Sequence, residues 1–417
     1  MSLALPMTGG ERPAPKVFRG GTHRLVAPEK TVQRVHRLAP VMGITRVANV
    51  TGLDTIGIPV VMVCRPNSRS IAVSQGKGLT VAAAKASGLM ESVEGYHAEH
   101  ISLSLKLASY EELRYTHNVV DVSRLARPIN GFFRPTLPLL WIEGRDLLQD
   151  TYVWLPYEMV HLNHVLPLPP GTGCFVNSSN GLASGNHLLE AISHGICEVV
   201  ERDATTLWSL SARAAQQKTR VDLDSIDDAD CRATLEKYER SAVCVAVWET
   251  TSDIGIPAFL CLTTERTINP LRPLPSALGF GCHPTRPIAL LRALTEAAQS
   301  RLTYISGSRD DLGRNAYEHS LSSNILESDH ARMEMPERMR QFRDAPSFDS
   351  ATFNEDVVWE LERLLSAGIT SAIVVNLTKP ELGLPVVRVV VPGLEPKDSI
   401  SNHVPGPRAR AIMGNPV

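Results

Sequence analysis

One four-residue pattern, apolar–Gly–apolar–Pro, occurs three times in the chain, each time just before a strongly apolar run. Ile56-Gly57-Ile58-Pro59 precedes VVMVC, Ile254-Gly255-Ile256-Pro257 precedes AFLCL, and Leu382-Gly383-Leu384-Pro385 precedes VVRVVV. An earlier apolar run lies upstream of each, joined by a turn-rich connection, so the pattern predicts three β-hairpin-like units. Their spacing is irregular and far longer than about 50 residues, which argues against a solenoid or propeller. Hairpins need helices to cover their apolar faces, and three segments have helical character: 80–98, 187–203 and 286–304. The expected class is mixed α/β (α+β), with largely antiparallel sheets covered by helices and no doubly wound parallel sheet.

Composition narrows the function. The chain has 417 residues, 43% apolar and 21% charged, with a net charge of −2, a profile of a soluble globular protein built from two or three subdomains. No basic excess points to nucleic acid. No charged leader with an apolar core and no 18-residue apolar span points to secretion or a membrane, so a cytoplasmic location is expected. The seven cysteines are an odd number without a CxxC pair, and most sit in apolar runs, as small buried hydrophobes in a reducing compartment do. Residues 1–16 read as a flexible tail, 17–400 as one catalytic domain with interleaved subdomains and a charged insertion over about 308–350, and 401–417 as an extended tail.

The sharpest chemical signal is SSNGLASGNHLLEAISHGICEVVERDA, residues 178–204. With each helical residue turning about 100° from Asn186, Glu190 falls near 40°, Glu201 near 60° and Glu198 near 120°. An amide and three carboxylates thus share a sector of a helix poor in lysine. KASGLMESVEGYHAEH places Glu91 and Glu94 three apart on one face, and ALLRALTEAAQSRLTY runs Arg292, Glu296 and Gln299 along another. Clustered carboxylates repel unless a cation neutralises them, and hard oxygen donors suit Mg²⁺ with phosphate oxygens completing its shell. Arg202 and Arg292 would supply donors to those phosphates. At the level of pattern, a Mg–nucleotide site and ordinary solvated Glu–Arg faces both remain open.

These segments resemble the YcaO family. The stretch 178–204 matches its signature, an Asn-Gly-containing loop leading into a helix with ExxER. Glu91 and Glu94 after SQGKGLT, and RALTEAAQSR, are its other marks, in the right order from about residue 17 onward. ITRVANVTGLDTIGIPVVMVCRP and LPLLWIEGRDL resemble the branch encoded beside TfuA-like proteins. The resemblance implies the YcaO fold, with an ATP cleft between subdomains and no Walker P-loop; GKGLT at 76–80 indeed lacks GxxxxGK[ST] spacing. It implies Mg²⁺ held by Glu91, Glu94, Glu198, Glu201 and Asn186. Glu190 and Glu296 would add to the acidic wall of the ATP site, Ala86 and Ser87 would line the nucleotide, and Arg24, Thr31, Arg202 and Arg292 would contact phosphates. Glu198, Glu201, Arg202 and Arg292 would be the catalytic set. Met90 stands where some members carry Arg, and Pro405-Gly406-Pro407 stands ten residues before Val417 in place of a terminal PxPxP.

The second departure favours the TfuA-associated type, which resembles thioamide-forming enzymes. The implied activity is ATP-dependent O-phosphorylation of a peptide-backbone amide, giving a thioamide in the maturation of a ribosomal peptide. Its partners would be a precursor peptide, a TfuA-like protein, a sulfide source and a second copy of the chain. An azoline- or amidine-forming cyclodehydratase and a non-catalytic nucleotide-binding partner are the alternatives. No protein nucleophile is expected, since GLASG at 181–185 is not GxSxG. His97/His100 and His161/His164 read as packing or surface pairs rather than zinc ligands, Cys197 as core, and Lys77 as a weak phosphate or substrate candidate.

Overall fold

The computed structural model describes residues 13–267, 271, 273–396 and 403–414. Helix α1 (Pro28–Leu38) is followed by strands β1 (Arg46–Asn49), β2 (Val60–Cys64) and β3 (Val73–Lys77), then by α2 (Val81–Glu99). Next come β4 (Leu105–Ala108), the one-turn helix α3 (Tyr110–Leu113), β5 (Leu139–Asp146), β6 (Thr151–Pro156), β7 (Leu182–Ser184) and the long α4 (Leu188–Leu210). Helices α5 (Arg213–Gln217) and α6 (Ala229–Arg240) precede β8 (Val243–Glu249), β9 (Ala258–Glu265), β10 (Ala277–Cys282) and α7 (Arg286–Ser306). Then follow α8 (Arg314–Ser320), α9 (Ser323–Met333), α10 (Phe353–Ser366), β11 (Ile373–Asn376), β12 (Val386–Val390) and α11 (Pro407–Ile412).

Each repeated motif closes an antiparallel hairpin: β1–β2, β8–β9 and β11–β12. The motif glycines adopt positive φ, 71° at Gly57, 77° at Gly255 and 61° at Gly383, where a side chain would be strained. The proline two residues on immediately precedes the returning strand, outside its ladder, where its missing N–H does no harm. The strands form three sheets, ordered β1-β2-β3, β10-β9-β8 and β4-β5-β11-β12-β7 with β6 on β5. Every pairing between these strands is antiparallel, as the hairpin pattern predicts.

Two units share a design: three meandering strands followed by a helix that folds back onto the last of them, α2 on β3 and α7 on β10. Glycine makes this approach close. A Cβ added at Gly76 of β3 would lie 2.0 Å from the Gly88 nitrogen of α2, and one at Gly279 of β10 would lie 2.1 Å from the Ala293 oxygen of α7. Helix α4 is seated likewise, with Gly195 against Val389 of β12, where an added Cβ would come within 2.5 Å of a methyl. Helices α2 and α7 thus rest directly on sheet backbone, and α4 rests on the Val389 side chain of β12. Trp141 and Trp248 are fully buried core, and all seven cysteines are free.

Two sequence expectations change at the ends. The part of the N-terminal tail up to residue 12 lies outside the described residues, but Ala14 and Lys16 are buried. Lys16 Nζ lies 2.8 Å from Asp356 Oδ1 and satisfies a carboxylate that the interior would otherwise leave unpaired. The C-terminal segment, read as extended from its prolines, contains α11 instead. Pro407 occupies a first-turn position, where no intrahelical N–H is required. Arg408 of α11 then pairs with Asp203 of α4 at 3.0 Å and with Asp253. The charged 308–350 stretch holds α8 and α9 and is anchored by Arg340, 3.0 Å from Glu249.

The backbone contact under α2 makes Gly76→Ala a test of this seating. The variant should lose about 3 kcal/mol of stability through overpacking, read as a lowered thermal midpoint by scanning fluorimetry. Gly52→Ala, whose added Cβ meets open space, should leave the midpoint unchanged.

Candidate functional site

Helical spacing brings chosen faces of α2, α4 and α7 around one cleft of about 590 Å³. From α2 come Ser87, Met90, Glu91 and Glu94; from α4 come His194, Glu198, Glu201 and Arg202. Helix α7 adds Arg292, Glu296 and Gln299, β3 adds Gln75 and Lys77, and Arg24 and Arg309 reach in from the segments before α1 and after α7.

The acids are held under electrostatic load. Glu91 opens onto the cleft, yet desolvation by the protein around it pushes its carboxyl up to about 7, against Lys77 and Arg309, with Glu198 adding a smaller share. Glu94 is pushed up to about 8, first by burial and then by the charges of Glu91 and Glu198. Ser184 works against that shift by donating its N–H at 2.9 Å and its Oγ at 2.6 Å to Glu94 Oε1. Ser184 belongs to β7, which lies directly before α4, so the strand braces the acid of another helix.

Positive groups border the acids. Arg202 Nη2 reaches Glu198 Oε1 at 3.4 Å, one turn along α4. Lys77 forms an ion pair with Glu296 across the β3–α7 junction. Arg292 Nη2 donates to His194 Nε2 at 2.9 Å. Burial and then Arg292, Arg24 and Lys77 hold the His194 imidazole well below its usual pKa, so it serves as a neutral acceptor and leaves the arginine its charge. Arg24 Nε is buried without a partner, a donor available to an anionic ligand.

Four residues expected in the site stand elsewhere. Ala86 is fully buried and does not line the cleft, because its direction on α2 differs by about 100° from that of Ser87. Asn186 precedes the extended helix cap His187, so its direction does not follow the helical arithmetic. Its Oδ1 accepts from Thr31 Oγ1 at 3.1 Å, and its Nδ2 donates to Glu190 Oε1 at 3.4 Å. Glu190 Oε2 accepts from Leu25 N at 3.0 Å, and Oε1 lies 3.8 Å from Arg24. Asn186, Glu190 and Thr31 therefore form a buried bracket that holds the Arg24 segment at the mouth of α4. His194, Ser184 and Gln75 are cleft residues that sequence reasoning missed; only their proximity in space singles them out.

His97 and His161 are buried, each pushed down to about 4 by burial, and behave as packing residues. Cys197 is likewise core. Among the described residues no helix is long and apolar enough to cross a membrane.

Residues 75–395 match the family described as "YcaO cyclodehydratase, ATP-ad Mg2+-binding". The chain belongs to the YcaO family. Similar chains include an uncharacterized protein in the tfuA 3' region of Rhizobium leguminosarum bv. trifolii, 38% identical over 89% of this chain and 88% of that one. An uncharacterized protein of Methanothermobacter thermautotrophicus is 33% identical over 89% and 94% respectively. A solved heterocyclase in complex with substrate and cofactor superposes with a TM-score of 0.76 at 26% identity over 94% of this chain, which spans 55% of that longer one. YcaO from Methanopyrus kandleri, bound with AMPPCP and Mg²⁺, shares the fold with a TM-score of 0.72 at 24% identity, over 92% and 95% of the two chains.

As in the rest of this YcaO family, the cofactors are ATP and Mg²⁺, and the donor set agrees. Glu91, Glu94, Glu198 and Glu201 offer only hard oxygen ligands, and the load on Glu91 and Glu94 is of the kind a cation relieves. Among the described residues no three His, Cys, Asp or Glu side chains converge into a complete metal cage. Mg²⁺ commonly takes only one or two carboxylates and completes its shell with phosphate oxygens and water.

The raised carboxyls predict a pH signature in protein free of metal and nucleotide. A carboxyl whose folded pKa exceeds its unfolded value stabilises the fold below the unfolded value and loses that contribution as pH rises through the folded one. Glu91 and Glu94 should therefore lower the thermal midpoint between about pH 5 and 8. Glu94→Gln removes one of the two, so the midpoint difference, variant minus wild type, should grow over that window. Calorimetry at a series of pH values checks this; the histidines held low act in the opposite sense but cancel in the difference.

Proposed function

We propose that this YcaO protein activates a peptide-backbone amide by O-phosphorylation with ATP and converts it to a thioamide. The observation that carries the activation step is one cleft in which Glu91, Glu94, Glu198 and Glu201 face Arg24, Arg202, Arg292 and Lys77. Amide oxygen is a poor leaving group until phosphorylated, and phosphoryl transfer calls for positioning and charge neutralisation rather than a protein nucleophile. In the balanced reaction, hydrosulfide adds to the amide carbon and the oxyanion takes the γ-phosphoryl group of ATP. Phosphate then departs with the former carbonyl oxygen and the proton of the hydrosulfide, leaving thioamide, ADP and phosphate.

Each group has a task in that reading. Glu91, Glu94, Glu198 and Glu201 hold Mg²⁺, which when bound neutralises phosphate charge and aligns the transferring group. Arg24 and Arg292 take phosphate oxygens, and His194 keeps Arg292 oriented without competing for its charge. Arg202 lies against Glu198, where it limits the repulsion among the acids. The choice of thioamide over ring rests on the relative encoded in a tfuA region. A TfuA-like protein would deliver sulfur, a precursor peptide would be the substrate, and the working form would be a homodimer. Cyclodehydration to an azoline is the second reading, favoured by the likeness to a heterocyclase.

Incubation of the protein with ATP, Mg²⁺, candidate peptide, sulfide and the TfuA-like partner decides between the two. Exchange of oxygen for sulfur in the peptide mass, with stoichiometric phosphate, is expected; loss of water would replace it with the second reading. Absence of ATP turnover in every combination would overturn both. Glu201→Gln should cut phosphate release by at least about 100-fold with an unchanged circular dichroism spectrum, and full activity in that variant would refute the metal-site assignment.

A further inference from the structure

Arg388 of β12 is a buried arginine that feels the charge of Glu198 on α4 without touching it. It is 2% exposed, and among the described residues it makes no ion pair. Its Nε donates to the Met159 carbonyl at 2.8 Å and its Nη2 to the Ser178 carbonyl, while Nη1 is buried without a partner. Burial lowers its pKa to about 10 against the opposing charge of Glu198, so it remains charged at neutral pH. Two neutral carbonyls satisfy hydrogen bonds but do not cancel a charge held out of water.

A separate cavity of about 50 Å³ adjoins this guanidinium, lined also by Ser178, Asn180, Val199 and Val389. On this measure one water needs about 10–15 Å³, so the space suits a small ion and excludes a phosphate ester or peptide. Asn180 Oδ1 is buried there without a partner, and a half-turn of its amide presents the NH₂ instead. The cavity is one peptide thick from the cleft. Ser178 and Asn180 face it, whereas Ser179 and Leu182 face the cleft, and on α4 Val199 lines the cavity while Glu198 lines the cleft. Gly181, at φ 77°, pins this wall to β12 by accepting from Val389 N at 2.7 Å.

We propose that this cavity binds one small monovalent anion at Arg388 and that hydrosulfide is its occupant, beside the site where sulfur is consumed. The assignment to hydrosulfide rests on the thioamide reading above; the anion site itself rests on the geometry alone. A halide of similar size and charge should occupy the same space and compete.

Crystals soaked in bromide and measured at its absorption edge should show one anomalous peak within hydrogen-bond distance of Arg388. In solution, bromide should inhibit competitively with hydrosulfide and not with ATP. Arg388→Met should lose the peak and raise the KM for hydrosulfide at least tenfold, with the KM for ATP within twofold of wild type. Asn180→Ala, which leaves the buried charge in place, should raise the hydrosulfide KM severalfold even if Arg388→Met fails to fold. An ordered water alone at Arg388, or bromide as an adventitious ion only, bound without competition, would overturn the anion site while the thioamide reading stood. Bromide at Arg388 in a protein that transfers no sulfur would sustain the anion site and overturn its assignment to hydrosulfide.

Discussion

Carboxylates from two helices share one cleft, where desolvation first and neighbouring charge second raise the proton affinity of Glu91 and Glu94, and the remaining architecture keeps them there. Glu91 and Glu94 on α2 both feel Glu198 on α4, and both are pushed far above the ordinary carboxylate range. Elements free to move would drift apart and solvate their charges separately. They are prevented by glycine contacts that seat α2 backbone against β3 at Gly76 and α4 against the Val389 side chain of β12 at Gly195. Ser184, bonded to Glu94 from β7, ties the two helices' chemistry together.

The cations follow a related logic. Two of the arginines at the cleft are steered without a tight ion pair: Arg292 by His194, held neutral, and Arg24 by the Asn186–Glu190–Thr31 bracket. Such positioning leaves guanidinium groups free for phosphate rather than spent in tight pairs. Arg408 reaches the back of α4 at Asp203, next in sequence to Arg202, so the C-terminal helix steadies the same helix from outside the cleft.

Much of this was legible in the chain. Three motif copies located the hairpins, since only glycine turns easily through positive φ and proline suits the entry to a returning strand. Acids at helical spacing with few lysines marked α2, α4 and α7, and Glu91, Glu94, Glu198, Glu201, Arg202, Arg292 and Glu296 do meet in one cleft. The errors occurred where the periodic rule stopped. Asn186 lies before its helix, Ala86 sits one helical step from the useful face, and Pro407 starts a helix instead of ending order.

By itself, then, the sequence determined the three motif hairpins, the helices α2, α4 and α7 with their acidic faces, and the family, because these depend on local dihedral preferences and periodic spacing. Only the tertiary structure decided which faces meet. That His194 should orient an arginine 98 residues away, that Ser184 should brace Glu94, and that Arg388 should be buried with no acid in contact are matters of long-range packing and solvent exclusion. A side chain's charge state follows from what surrounds it, and no spacing along the chain encodes that.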